Sequence, residues 1–307
     1  MTQLNLATSL NVGEVIFSAF QVYKSRFWTF IGTALQANIW FFVPNLFWLP
    51  LLALTQPAII FLLFVFLSPL LANNSSFSYI ILGIMAIFMI FLGFFCSAKG
   101  LRLQSVISRL AYGELIGQTE TKQIAIREVK GFWRFWIAQF YISLELLGFS
   151  IFISRIASLF GSDLSFVIIE LIISFLVQMW IIAKYFISDV AIALQNITAG
   201  ESLKYSRELS KKHIFDISLI LFITTLITLP AYLIPCMPLL TQLILLWQKS
   251  TLTSDFNWYI ELIKLITFIA LAIIGAMIVH IFTIPLWQSL KAVICHKLVE
   301  NRPISNI

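Results

Sequence analysis

"ITAGESLKYSRELSKKHIF", Ile197 to Phe215, is the most polar long stretch of a chain that is 60% hydrophobic and only 11% charged. It stands between two apolar blocks, and an echo, "NVGEVIFSAFQVYKSRFW", runs from Asn11 to Trp28. Laying Gly13-Glu14 on Gly200-Glu201 brings Asn11 onto Thr198, Lys24 onto Lys211 and Trp28 onto Phe215, with a hydrophobic block following in both places. Asn11-x-x-Glu14 and Thr198-x-x-Glu201 both fit a capping pattern, in which the first side chain caps a free backbone N–H and the Glu reaches back to the cap residue. Behind the first cap, Val12, Val15, Ile16, Ala19, Phe20, Tyr23 and Phe27 recur at helical spacing and form one apolar stripe. The polar stretch therefore reads as a recurring helical part. Such a helix is expected to lie flat in the headgroup region, with Lys24 and Arg26 toward lipid phosphates or water.

The apolar blocks around these stretches set the class. A soluble domain carries roughly 25% charged residues, whereas this chain has 11% and a mean hydropathy of +0.95. Several blocks reach the roughly 20 apolar residues that a helix needs to span the hydrocarbon. Backbone groups in lipid must bond within their own segment, and no alternating strand pattern of a barrel is present, so an all-α integral membrane protein is expected. The first residues lack the basic, apolar and small-residue sequence of a cleaved signal peptide, which leaves insertion to the first span.

Six spans stand out: 28–48, 78–97, 133–154, 165–187, 215–234 and 262–286. Two shorter apolar runs, Pro57–Ala72 and Pro238–Trp247, have prolines at their edges. With the N-terminus in the cytoplasm and six crossings, nearly all the Lys and Arg residues fall inside, and only Arg155, Lys249 and Lys264 fall outside. This is a positive-inside distribution, as expected of a bacterial plasma-membrane protein with both termini cytoplasmic. It also makes the two short runs re-entrant or interfacial pieces on the outer side, because a full extra crossing by 57–72 would throw the Lys99–Lys130 cluster outside.

Three helical hairpins follow, each preceded by a cytoplasmic amphipathic helix. The second entry segment, "GQTETKQIAIREVKGFW", ends in Phe132-Trp133 as the first ends in Phe27-Trp28, and the exits "LRLQSVISRLAYGE" and "SDVAIALQNITAGE" coincide on Gly113-Glu114 and Gly200-Glu201. The expectation is one polytopic domain over 1–307, with repeat units of about 11–110, 111–197 and 198–300. Lys24, Arg26, Lys204, Arg207, Lys211 and Lys212 mark where entry helices meet spans. Their ordinary role is anchoring, and they are also candidate contacts for anionic headgroups or an acidic partner.

The run Gly200-Glu201-Ser202-Leu203-Lys204-Tyr205-Ser206-Arg207-Glu208-Leu209, followed by Phe215 opening a span, resembles the signature of the bacterial glycerophosphodiester phosphodiesterase membrane-domain superfamily. "GEVIFSAFQVYKSRFW" is similar to the N-terminal signature of the same family. The resemblance implies a multi-spanning architecture and carries no defined chemistry for the membrane part. Some relatives append a soluble phosphodiesterase barrel; this chain ends about 20 residues after its last expected span, so that catalytic domain is not expected here.

Little in the sequence points to catalysis. Cys96, Cys236 and Cys295 are isolated, and His213, His280 and His296 stand apart with no metal-binding, nucleophile-elbow or phosphate-loop spacing. No enzyme activity, cofactor or metal is expected, and the basic balance reads as topology rather than nucleic-acid binding. Ionisable groups inside spans are the better lead. Glu145 lies near the middle of 133–154, Glu170 and Arg155 lie toward the outer end of the same hairpin, and Gln178 adds an amide. Antiparallel geometry sets Glu145 opposite about residue 175, near Ser174 and Gln178, as a neutral hydrogen-bonded group. Interhelical hydrogen bonding is the structural reading of these residues. The functional expectation is a non-enzymatic scaffold or regulatory component at the inner leaflet, with bilayer lipid and its anionic headgroups as partners and a membrane protein as a further candidate. The alternative is a transporter of a small solute or lipid whose path runs between the hairpins.

Overall fold

A computed structural model describes residues 10–53, 75–157, 164–252 and 258–300. Every regular element among them is a helix. In chain order these are α1 (Val12–Ser25), α2 (Phe27–Ala53), α3 (Ser75–Leu115), α4 (Lys122–Glu128), α5 (Phe132–Ala157), α6 (Leu164–Tyr185), α7 (Ser188–Gln195), α8 (Ala199–Ser210), α9 (Ile214–Leu252) and α10 (Trp258–Glu300). Five stretches are long and apolar enough to cross a membrane: Ile90–Leu115, Phe132–Ile156, Val167–Gln195, Ile214–Leu246 and Ile263–Glu300. A shorter apolar helical stretch covers Phe27–Val43. This is the composition of a multi-pass membrane protein. The run 57–72 lies outside the described residues.

α1 and α8 start where side-chain chemistry supplies caps. Asn11 accepts from the Glu14 N–H at the start of α1. Thr198 and Glu201 form a reciprocal capping box at the start of α8, satisfying two donors that the first turn leaves unbonded. In α1 the Glu is used differently: Glu14 reaches across to Lys297 on α10, 2.9 Å away.

α3 and α10 are 41 and 43 residues long, roughly 60 and 65 Å at 1.5 Å per residue, about twice the hydrocarbon thickness. Their C-terminal halves lie side by side, with Ser108 hydrogen-bonded to Gln288 and Tyr112 edge-on to His296. Around them gather α1, α4, α7 and α8, and the buried core sits at this end: Phe30, Ile107, Leu110, Ile187, Ile192, Ile217, Leu290 and Ile294. Elsewhere the long helices expose large side chains, among them Leu147 and Phe152 on α5 and Ile274 and Phe282 on α10.

α1 buries Val15, Ala19 and Val22, while α8 buries Ser202, Ser206 and Leu209, the positions that the Gly13–Gly200 match places opposite one another. Trp28 and Phe215, also matched, are 82% and 80% exposed. The stripe of α1 divides: Val15 and Ala19, with Val22 beside them, are covered by protein, chiefly α10, whereas Phe20 of the stripe stays exposed next to Phe17.

Two further expectations change. Pro238–Trp247 is not a separate short piece but the continuation of α9, which carries Pro230, Pro235 and Pro238 within one helix. The second entry helix, α4, is only seven residues long; Thr121 caps its start, and Arg102 caps its end by donating to the Ile126 and Val129 carbonyls.

Candidate functional site

α3, α5, α6, α9 and α10 touch in succession and α10 returns to α3, so the five close a ring. α2 packs outside it, on α3 and α10. The chain breaks helix after Tyr185 and restarts at Ser188, which lets the short α7 turn beneath the ring against α3, α5 and α10. α7 is almost wholly buried through Ser188, Val190, Ala191, Ile192 and Ala193. Asn196 ends it in the left-handed conformation, with φ of 59°, a region that Asn tolerates better than most residues.

Immediately above α7, within the ring, is a cavity of about 420 Å³. Leu101, Phe135, Ile142, Leu146, Ile182, Ile284 and Trp287 make its apolar wall. Its polar lining comes from Gln104, Ser105, Gln139, Ser188, Asp189, His280, Gln288 and Lys291. Lys291 and Asp189 pair at 2.6 Å, and the Lys291 ammonium lies 5.4 Å from the Phe186 ring centroid. The Gln288 amide oxygen accepts from Ser108. His280 meets the Tyr232 hydroxyl through Nδ1 at 3.0 Å, and Tyr232 in turn meets Thr283 at 2.6 Å. This cavity was not foreseen from the sequence. Its charged pair is separated by 102 positions, and only polar residues recurring at helix ends hinted at it.

Glu145 faces a different space. Its carboxylate pairs with Lys184 at 2.7 Å, the two side chains being 26% and 11% exposed, and Lys184 also lies 4.6 Å from the Tyr185 ring centroid. The expected neutral Glu145 beside Ser174 and Gln178 is therefore corrected: Gln178 donates to Ser174 on its own helix at 3.1 Å. The pair ties the last turn of α6 to the middle of α5. Arg155 and Glu170 lie toward the far end of the same helices, in the last turn of α5 and the second turn of α6. Glu145 borders a groove of about 760 Å³ on the outer side of α5, together with Arg134, Tyr141 and the start of α8. Ile142 and Tyr185 line both the groove and the ring cavity, so one layer of side chains separates them.

The basic candidates divide into two groups. Arg26 is used internally, pairing with Glu114 at 2.7 Å and donating to the Glu120 carbonyl at 2.8 Å. Arg109 grips the Glu120 carboxylate with two bonds of 2.8 Å, and that hydrogen bonding holds Glu120 below the ordinary carboxylate value. Lys24, Lys204, Arg207, Lys211 and Lys212 stay exposed, and Lys204, Arg207 and Lys211 share one face of α8 by their i, i+3, i+7 spacing. Lys24 and Lys122 edge a further open groove of about 920 Å³ that includes Trp28. Burial lowers the Lys122 pKa there, and its ammonium donates to the Gly32 carbonyl at 3.4 Å. Among the described residues no three His, Cys, Asp or Glu side chains cluster as metal ligands would.

Comparison with protein-family models, with curated proteins and with solved structures finds no match to this chain. The functional reading therefore rests on these residues.

Proposed function

We propose that this chain is a non-enzymatic scaffold or regulatory component of a bacterial plasma membrane. In this reading six spans form three hairpins, α2 with α3, α5 with α6 and α9 with α10, and the packed end lies at the inner leaflet. One observation carries it: the buried core and the ion pairs Arg26–Glu114, Arg109–Glu120, Lys291–Asp189 and Lys297–Glu14 all belong to that end, while the rest of the long helices present apolar side chains outward. A rigid platform results, carrying the unpaired basic face of α8 and the exposed Phe17, Phe20 and Lys24 of α1. Basic residues at a membrane surface attract anionic headgroups by about 1 kcal/mol each. The repeat is supported by the matching caps, buried faces and exposed aromatics of α1 and α8, and the resemblance to the phosphodiesterase membrane-domain superfamily agrees with this architecture.

The test is purification in native-lipid particles, with quantification of bound phospholipid. Enrichment of anionic lipid, lost when Lys204, Arg207 and Lys211 are changed together to Glu, is the expected outcome. The ring and its cavity favour the second reading, a transporter of a small solute or lipid. Substrate-dependent counterflow in proteoliposomes would establish that reading and displace the scaffold.

A further inference from the structure

We infer that the ring cavity above α7 is a binding site for an uncharged, hydroxyl-headed amphiphile of the monoacylglycerol class. The inference rests on the membrane-spanning reading above, though not on the scaffold role. The space is real by volume: about 420 Å³ equals roughly fourteen waters at their liquid share of about 30 Å³, and it falls within the ordinary range of ligand pockets.

Charge decides the head. Asp189 and Lys291 are the carboxylate and ammonium of the lining, and at 2.6 Å they satisfy one another. An anionic head would meet the Asp189 carboxylate and a cationic one the Lys291 ammonium, so either faces a like charge in the lining. A neutral head pays neither penalty.

Hydrogen bonding decides its chemistry. Gln104 on α3 and Gln139 on α5 line the cavity with no hydrogen-bond partner among the described residues, whereas Gln288 is bonded to Ser108. Each free amide offers both donors and an acceptor, and a hydroxyl also both donates and accepts, so a vicinal diol matches two such amides. A head of this kind engages both amides at once. Gln139 is exposed, which puts it at the mouth. The apolar wall of Leu101, Phe135, Ile142, Leu146 and Ile284 takes the start of one acyl chain. The layer formed by Ile142 and Tyr185 separates the chain's path from the outer groove.

The experiment uses the full chain in detergent with a diazirine-bearing monoacylglycerol, the labelled peptides being mapped by mass spectrometry. Labelling is expected at 101–105, 135–146, 182–189 and 280–291. Unlabelled monoacylglycerol should compete, and lysophosphatidylglycerol of the same chain length should not. Gln104→Leu with Gln139→Leu should lower labelling about tenfold, as the loss of two neutral hydrogen bonds implies, without lowering the melting temperature. Ala138→Phe, which fills the space from a buried position, should abolish it. Label spread along the exposed residues 147–152 without competition, equal competition by the anionic amphiphile, or unchanged labelling of the Gln double variant would each overturn the inference. Maleimide access to engineered cysteines, measured separately, reports whether the membrane reading itself has failed.

Discussion

Glu145 and Lys184 are two charges at span level joined at 2.7 Å, and their energetics differ from those of the lone neutral acid that the sequence suggests. Removing one partner strands the other. Glu145→Gln leaves Lys184, 11% exposed, without its countercharge, at an expected cost of roughly 2 kcal/mol, less than the ~3–5 of a fully buried pair because the carboxylate keeps some solvent. Glu145→Leu combined with Lys184→Met should recover most of that loss. Melting temperatures of the three proteins in one detergent check this, and a double variant as unstable as the single one would deny the pairing. That an acid here must be satisfied was legible from insertion cost alone. Its partner was not, because which residue of α6 meets Glu145 is set by the packing of the two helices. A second residue-scale outcome concerns Glu120, whose pKa is depressed chiefly by the Arg109 hydrogen bond. A depressed carboxylate contributes stability above its unfolded pKa, near the ordinary 4.5, and loses it as pH falls through the lower folded value. The melting temperature of the wild type should therefore fall more steeply below about pH 4.5 than that of Glu120→Gln.

At the scale of elements, what was legible followed from local chemistry. Asn11, Thr121 and Thr198 each start a helix by accepting from a first-turn N–H, and a cap depends only on residues within one turn of it. The prolines of α9 misled for the complementary reason. A proline removes one backbone donor and clashes with the preceding turn, so Pro238 reads as the edge of a new segment. Helix α9 nevertheless continues, because packing against α10 outweighs the local cost. One close point of that packing is Gly275 on α10, where a Cβ would collide with the Pro235 ring. Small residues allow such backbone approach between helices in membranes. Gly275→Ala should push α9 from α10 at a cost of about 1–3 kcal/mol from overpacking. The melting temperature of Gly275→Ala in detergent should fall accordingly. An unchanged value would show that the two helices have room to spare.

At the scale of the molecule, the five-helix ring and its cavity were invisible in the sequence, since they depend on contacts between helices as distant as α3 and α10. The expected topology rests instead on where charge falls along the chain. Arg26, at the start of α2, pairs with Glu114 at the end of α3. Glu14 pairs with Lys297 near the end of α10, and Asp189, in the segment after α6, pairs with Lys291. These ties bring the segments around residues 10–27, 98–132, 184–214 and 287–300 to one end, as an even number of crossings between successive segments requires. They are also the segments that hold most of the basic residues. A membrane that retains Lys and Arg on its cytoplasmic side orients the whole set at once. The proposed orientation puts Gln118 and Lys212, both exposed at that end, on the cytoplasmic side. Replaced singly by Cys in a chain whose Cys96, Cys236 and Cys295 are changed to Ala, each should react with a membrane-impermeant maleimide only after the cells are opened. Reaction at Gln118→Cys in intact cells, with Lys212→Cys still protected, would put the α3–α4 connection outside and break the three-hairpin arrangement.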